Sequence, residues 1–145
     1  MLAIGCDHGG FELKTHIMAH LRERGIAFQD FGCYDENSVD YPDIAERVGK
    51  AVAGGECEKG ILICGTGIGI SIAANKIKGI RAALCADVYS AQMTKRHNNA
   101  NIICLGGRVT GRELAFMIVD AWLYAEFEGG RHQNRIDKIH ALENR

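Results

Sequence analysis

Residues 61–71 read Ile-Leu-Ile-Cys-Gly-Thr-Gly-Ile-Gly-Ile-Ser. An apolar run, Ile61 to Ile63, has the character of a buried strand and delivers Cys64 into a glycine-rich turn. The stretch beyond it, Ser71 to Asn75, reads as helix. Glycines 65, 67 and 69 let backbone N–H groups approach a ligand with no Cβ in the way. A helix N-terminus at that place favours negative charge, and the same field stabilises a thiolate. One turn therefore offers an anion cradle together with a base or nucleophile, a pairing suited to chemistry in which an oxyanion forms.

Strand-like apolar runs recur at residues 2–6, 27–31, 60–64, 81–85 and 101–105, with helical patterns between them. Leu13, Ile17 and Leu21 share one helix face, as do Ile44, Val48 and Val52. Asp87 is placed to cap a helix over Val88 to Arg96. Thr110-Gly-Arg-Glu113 has capping-box spacing ahead of a stripe of Leu114, Ile118, Ala121 and Trp122. Ile136, Ile139 and Leu142 mark a last helix, about residues 131–143, after a Glu128-Gly129-Gly130 break. The alternation predicts one α/β domain over residues 1–145: a three-layer α/β/α, Rossmann-like (flavodoxin-like) five-stranded parallel sheet with an extra C-terminal helix. The expected strand order is 2-1-3-4-5. The last helix has no sixth strand to cover, so a partner subunit is its expected packing surface.

In such sheets ligands bind beyond the carboxyl ends of the strands. Strand one ends in Cys6-Asp7-His8-Gly9-Gly10, strand two leads to Asp40-Tyr41-Pro42-Asp43, and strand three ends at Cys64. Strand five ends in Gly106-Gly107-Arg108. Lys95-Arg96-His97-Asn98-Asn99 and Arg131-His132-Gln133-Asn134-Arg135 are expected on the same rim or within reach of it. Each has a bland counterpart: Asp7 and His8 as helix caps, Cys64 as a core thiol, the arginines as a solvated helix start. Their coincidence on one rim favours a small anionic ligand and acid–base chemistry.

Composition sets the limits. A chain of 145 residues suffices for one self-standing core. A formal net charge of −1 gives no global pull towards nucleic acid or anionic membrane. No apolar run approaches the roughly 20 residues that cross a bilayer, and the chain opens on a strand pattern rather than a signal segment. The expected location is cytoplasmic. Cys6, Cys33, Cys57, Cys64, Cys85 and Cys104 form no C-x-x-C pair and no zinc spacing, so six free thiols are expected. The Walker pattern is absent. The dinucleotide pattern starts at Gly65 and Gly67 but meets Ile70 at its third glycine, which ranks a nucleotide module below a sugar-phosphate site even with Asp87 about twenty residues on.

Taken together, Gly5-Cys6-Asp7-His8-Gly9-Gly10, Asp40-Tyr41-Pro42-Asp43, Cys64-Gly65-Thr66-Gly67-Ile68-Gly69, Asn75-Lys76, Arg96-His97-Asn98, Gly107-Arg108-Val109 and Gly129 to Arg135 closely resemble the ribose-5-phosphate isomerase B family. The resemblance covers essentially the whole chain in order. The cysteine-glycine turn is shared with galactose-6-phosphate isomerase subunits, whereas His97-Asn98 and the Arg131/Arg135 pair favour the ribose enzyme. The resemblance implies interconversion of ribose 5-phosphate and ribulose 5-phosphate with no cofactor and no metal. It also implies a homodimer, or a dimer of dimers, with shared sites. Cys64 matches the family's base, Thr66 the hydroxyl that helps move the proton between O1 and O2, and His97 the residue that opens the furanose ring. The loop amides of Gly67, Ile68, Gly69, Ile70 and Ser71 match the anion hole, and Gly65 beside them a substrate-binding position. Asp7, Tyr41 and Asn98 match sugar contacts, and His8, Arg108, Arg131 and Arg135 phosphate contacts. A second branch carries its base as Glu at the position of Ile70, so this chain sorts with the cysteine branch.

The chemistry suits these residue types. Aldose–ketose isomerisation moves a proton between neighbouring carbons through a cis-enediolate, whose developing charge preorganised N–H donors stabilise. A cysteine with an ordinary pKa of about 8.5 becomes a base when a helix N-terminus lowers it, and histidine titrates where ring opening needs it. Arginines grip phosphate with paired donors. Two other readings stay open: isomerisation of a six-carbon sugar phosphate such as allose or galactose 6-phosphate, and a non-catalytic sugar-phosphate sensor.

Overall fold

The alternating pattern resolves into five strands and six helices: β1 (Leu2–Cys6), α1 (Phe11–Glu23), β2 (Phe28–Asp30), α2 (Tyr41–Ala53), β3 (Lys59–Cys64), α3 (Ile68–Ala74), β4 (Ala82–Leu84), α4 (Val88–Asn98), β5 (Ile102–Gly106), α5 (Arg112–Tyr124) and α6 (Arg131–Leu142). The computed structural model describes all residues, Met1–Arg145. Every strand pairing is parallel. Apolar side chains cover both faces of the sheet. Leu13, Ile17 and Leu21 of α1 join Ala115, Ile118, Val119 and Trp122 of α5 on one side. Ile44, Val48 and Val52 of α2 join Ile70 and Ala74 of α3 on the other. The three-layer architecture is as the sequence predicts, and no helix is long and apolar enough to cross a membrane.

The strand order is β2-β1-β3-β5-β4, not the expected 2-1-3-4-5. Burial explains the exchange. All five residues of β5 are buried, as a strand covered on both faces requires. The three of β4 are only partly covered, with Leu84 41% exposed. The more apolar strand takes the place beside β3, and the short one blunts the edge. β1 and β3 remain adjacent, with β2 beyond β1, so the chain reverses its direction of spread between them. That switch point puts the ends of β1 and β3 side by side.

Two local expectations at α5 also change. Gly111, not Thr110, is its N-cap, and no side-chain cap forms. Thr110 instead continues the turn after β5, its N–H donating to the Gly106 carbonyl at 2.9 Å. The buried stripe is therefore Ala115, Ile118, Val119 and Trp122, while Leu114 is exposed. Asp87 caps α4 as expected, accepting from the Ser90 N–H at 2.7 Å. In α6, Ile136 is buried whereas Ile139 and Leu142 face outwards.

One polar group lies wholly inside. The Lys14 ammonium is fully buried, pairs with Asp30 at 2.6 Å and donates to the Cys33 carbonyl. It thereby ties α1 to the loop after β2, just behind the tip of β1. Removing one partner of a buried pair leaves the other without compensation. Lys14→Met is expected to cost about 3 kcal/mol, at the lower end of the range for broken buried pairs because Asp30 keeps some solvent access. A denaturant titration that finds an unchanged midpoint would contradict it.

Candidate active site

The strand-three turn is built as a donor-rich loop around sulfur. Cys64 is buried at the tip of β3, and its Sγ accepts the Gly67 N–H at 3.1 Å. Gly67 sits at φ +79°, and a Cβ there would stand 2.6 Å from Leu84 Cδ1 and 2.8 Å from the Leu105 carbonyl carbon. Glycine is required on both counts. Thr66 Oγ1 accepts the Ile68 N–H at 3.2 Å, and the Ser71 N–H reaches the Gly67 carbonyl at 3.2 Å. The opening N–H groups of a helix have no intrahelical acceptor. With Gly67, Ile68 and Ser71 already engaged, the amides of Gly69 and Ile70 are the two between Gly67 and Ser71 given to no protein acceptor. The expected anion hole over Gly67 to Ser71 thus narrows to those two. The Ile70 side chain is core, fully buried against α2, and the Ser71 hydroxyl is turned inwards onto the Ile68 carbonyl at 2.7 Å.

Neighbouring loops close on this turn. A Cβ on Gly69 would stand 2.6 Å from Tyr41 Cζ, so the phenol at the start of α2 lies over the loop. A Cβ on Gly9 would stand 3.0 Å from Gly65 N, and one on Gly65 would stand 3.3 Å from Arg108 Nη1. Asp7 is buried and caps the turn after β1 through the Gly9 N–H at 2.9 Å. His8 Nδ1 accepts the Val39 N–H at 3.3 Å. One chain therefore gathers Asp7, His8, Tyr41, Cys64, Thr66 and Arg108 at the carboxyl ends of β1, β3 and β5.

Cys64 differs from the other thiols, all of which are free and buried. Burial pushes Cys6 up to about 12 and Cys85 up to about 11, and it raises Cys104 further. Those sulfurs are inert hydrophobes. Cys64 instead accepts the Gly67 N–H at the mouth of the glycine turn.

His97, Asn98, Arg131 and Arg135 are not on this rim, contrary to expectation. Helix α4 runs back across the sheet, so its last turn meets the amino ends of the strands. There the Arg81 guanidinium, just before β4, donates to the Asn98 and Asn99 carbonyls at 3.0 and 2.8 Å. Trp122 Nε1 holds the Ala100 carbonyl at 2.9 Å. His97 stacks on His132, ring centroids 4.2 Å apart and planes 8° from parallel. Arg131 and Arg135, exposed on the first turns of α6, flank this pair. Of the six clefts on the surface, five of about 260 to 530 Å³ are lined by none of Cys64, Thr66 and His97.

Glu128 was legible in the sequence only as part of a helix break. In the structure its carboxylate accepts from Arg96 Nε at 2.7 Å, and it lies 3.7 Å from His97 Nε2 and 3.5 Å from His132 Nε2. Desolvation works to raise its pKa, but the Arg96 hydrogen bond and charge, with the two imidazoles, hold the carboxyl below its usual range. Desolvation lowers His132, and the charges of His97 and Arg131 add to that. Glu128, His97 and His132 offer three donor atoms within 4.8 Å of one another.

Comparison with known proteins gives the family. Residues 2–139 match the family described as Ribose/Galactose Isomerase. The chain is 58% identical to ribose-5-phosphate isomerase B of Escherichia coli K12, over 99% of this chain and 97% of that protein. It is 47% identical to a D-erythrulose-4-phosphate isomerase of Pectobacterium atrosepticum, over 99% and 95%. The structure of ribose-5-phosphate isomerase B from Clostridium thermocellum superposes with a TM-score of 0.97 at 55% identity, covering 99% of this chain and 97% of that one.

Proposed function

This chain belongs to the ribose/galactose isomerase family, and on that premise we propose that it interconverts D-ribose 5-phosphate and D-ribulose 5-phosphate through a cis-enediolate. That it is a sugar-phosphate isomerase follows from its relatives. The choice of substrate and the roles below are our reading. The observation that carries it is the turn at Cys64, which presents a sulfur and, a few residues on, two amides without protein acceptors.

Cys64 takes the C2 proton of the open-chain aldose and returns it to C1. Charge builds on the substrate oxygen as the proton leaves, and the Gly69 and Ile70 N–H groups face that charge. The Gly67 N–H steadies the sulfur in both states, most strongly when it is charged. Thr66 Oγ1 relays a proton between O1 and O2. Tyr41, Asp7 and Asn98 contact the sugar hydroxyls, while His8, Arg108, Arg131 and Arg135 hold the phosphate. His97 opens the furanose, because a cyclic sugar has no carbonyl beside the proton to be removed.

These groups occupy opposite ends of the sheet in one chain, so one chain cannot apply Cys64 and His97 to the same sugar. A homodimer resolves this if the His97 end of one copy meets the Cys64 end of the other. The exposed Ile139 and Leu142 of α6 supply apolar surface for such contact. The α6 arginines then reach the partner's phosphate. Arg135→Ala is expected to raise KM for ribose 5-phosphate about tenfold or more, the loss of one charge-assisted contact, with kcat little changed. An unchanged KM would mean the arginine is a solvated surface group.

The Pectobacterium relative is named for a four-carbon substrate, which gives chain length a specific test. Turnover should be measured on ribose 5-phosphate, D-erythrose 4-phosphate, allose 6-phosphate and galactose 6-phosphate. A kcat/KM highest for ribose 5-phosphate supports the reading. A preference for another length transfers the mechanism to that sugar, and binding of all four without conversion would leave a sensor.

A further inference from the structure

We propose that Glu128 is a positioning residue that holds the His97 imidazole for ring opening, with His132 as the backing against which that ring is clamped. The proposal rests on the reading of His97 given above and assigns a task to a carboxylate outside the reacting centre.

His97 lies in the last turn of α4 and is about a third exposed. A side chain there has rotamer freedom that an acid–base catalyst cannot use. Two contacts remove it. The buried His132 ring lies flat against one face of His97. The Glu128 carboxylate stands at the edge of both rings, 3.7 Å from His97 Nε2 and 3.5 Å from His132 Nε2. At 3.7 Å the contact is longer than a hydrogen bond, and catalytic contacts are often long without substrate and tighten when it binds. A carboxylate at Nε2 favours the proton there and leaves Nδ1 as the free base, the way an acid fixes a catalytic imidazole's tautomer.

Glu128 is itself held in place. Its N–H donates to the Arg96 carbonyl at 3.0 Å, and its Oε2 accepts from Arg96 Nε at 2.7 Å. The residue before His97 therefore holds the Glu128 main chain through its carbonyl and the carboxylate through its guanidinium, and α4 carries both Arg96 and His97. Gly129 and Gly130, at φ +68° and +57°, turn the chain so that His132 follows directly onto the same cluster.

The same three donors raise the question of a divalent cation. Arg96 already occupies Glu128 Oε2, and Arg131 and Arg135 add positive charge at His132. The two rings are stacked with planes 8° from parallel, so their in-plane lone pairs run in separate layers rather than towards one point. These observations favour positioning over metal binding.

Glu128→Gln keeps the size and an acceptor for Arg96 but removes the charge. Expected is a loss of about 10- to 100-fold in kcat, the scale seen when an orienting partner is removed, with KM within twofold because the phosphate contacts remain. The decisive measurement is a double-mutant cycle: in a His97→Asn background, Glu128→Gln is expected to add no further loss. Additive losses, or wild-type kcat in Glu128→Gln, would overturn the proposal. Should His97→Asn itself retain wild-type turnover, the ring-opening role fails instead, which separates the two claims. Zinc is the probe for the competing class. One Zn²⁺ retained per chain after dialysis, and lost in Glu128→Gln, would make the cluster a metal site and overturn positioning.

Discussion

Cys64→Ala is expected to lower kcat for ribose 5-phosphate by about a hundred- to ten-thousand-fold, the usual contribution of a positioned acid–base group. Substrate affinity should stay within a few-fold of wild type, because the phosphate and hydroxyl contacts come from other residues. Cys64→Ser should be equally slow. A serine hydroxyl fills the same place at the tip of β3 and still accepts the Gly67 N–H, but it is far too weak a base. Both variants should fold, since the sulfur contributes a small part of a core built on Ile44, Val48, Leu62, Ile70 and Ile102. Steady-state kinetics beside direct binding of ribose 5-phosphate checks the pair. Turnover within tenfold of wild type in either variant would remove Cys64 from the role of base.

Mixing Cys64→Ala with His97→Asn is expected to restore activity that neither has alone. If each site takes Cys64 from one copy and His97 from the other, a mixed dimer has one site with both residues intact and one with neither. Random reassortment at equal amounts makes half the dimers mixed, so about a quarter of wild-type activity should return in a two-fold symmetric dimer. The two chains would be co-expressed with different tags and the mixed species purified. A mixed dimer no more active than the average of its parents would show that Cys64 and His97 do not serve one substrate across the dimer. The prediction follows from the course of α4, which carries His97 to the end of the sheet away from Cys64.

Much of this was legible before the fold was known, for identifiable reasons. The strands follow from uninterrupted runs such as Ile61 to Cys64, and the α1 and α2 faces from Leu13/Ile17/Leu21 and Ile44/Val48/Val52. The turn at Cys64 follows from its glycines. Strand order did not follow, because it depends on whether β4 or β5 is buried on both sides, a competition that alternation does not encode. On α5 the expected Ile118 and Trp122 are buried, but Ala115 and Val119 take the places given to Leu114 and Ala121, and Gly111 rather than Thr110 is the N-cap. The single rim was an error of direction. A helix that follows a parallel strand ends at the opposite edge, so His97 was always to be found away from Cys64 within one chain. Glu128 could not be found at all, since its meaning lies in a contact across 31 residues with His97.

The most direct test of the account is conversion of ribose 5-phosphate by the purified wild-type protein in D₂O, followed by NMR. The account predicts ribulose 5-phosphate carrying deuterium at C1, and deuterium appearing at C2 of the remaining ribose 5-phosphate, because Cys64 exchanges its proton with solvent while the enediolate waits. Conversion with the original hydrogen wholly retained would contradict a Cys64 proton that exchanges with solvent during the enediolate's lifetime. Binding with neither conversion nor exchange would mean that the chain holds the sugar phosphate without acting on it.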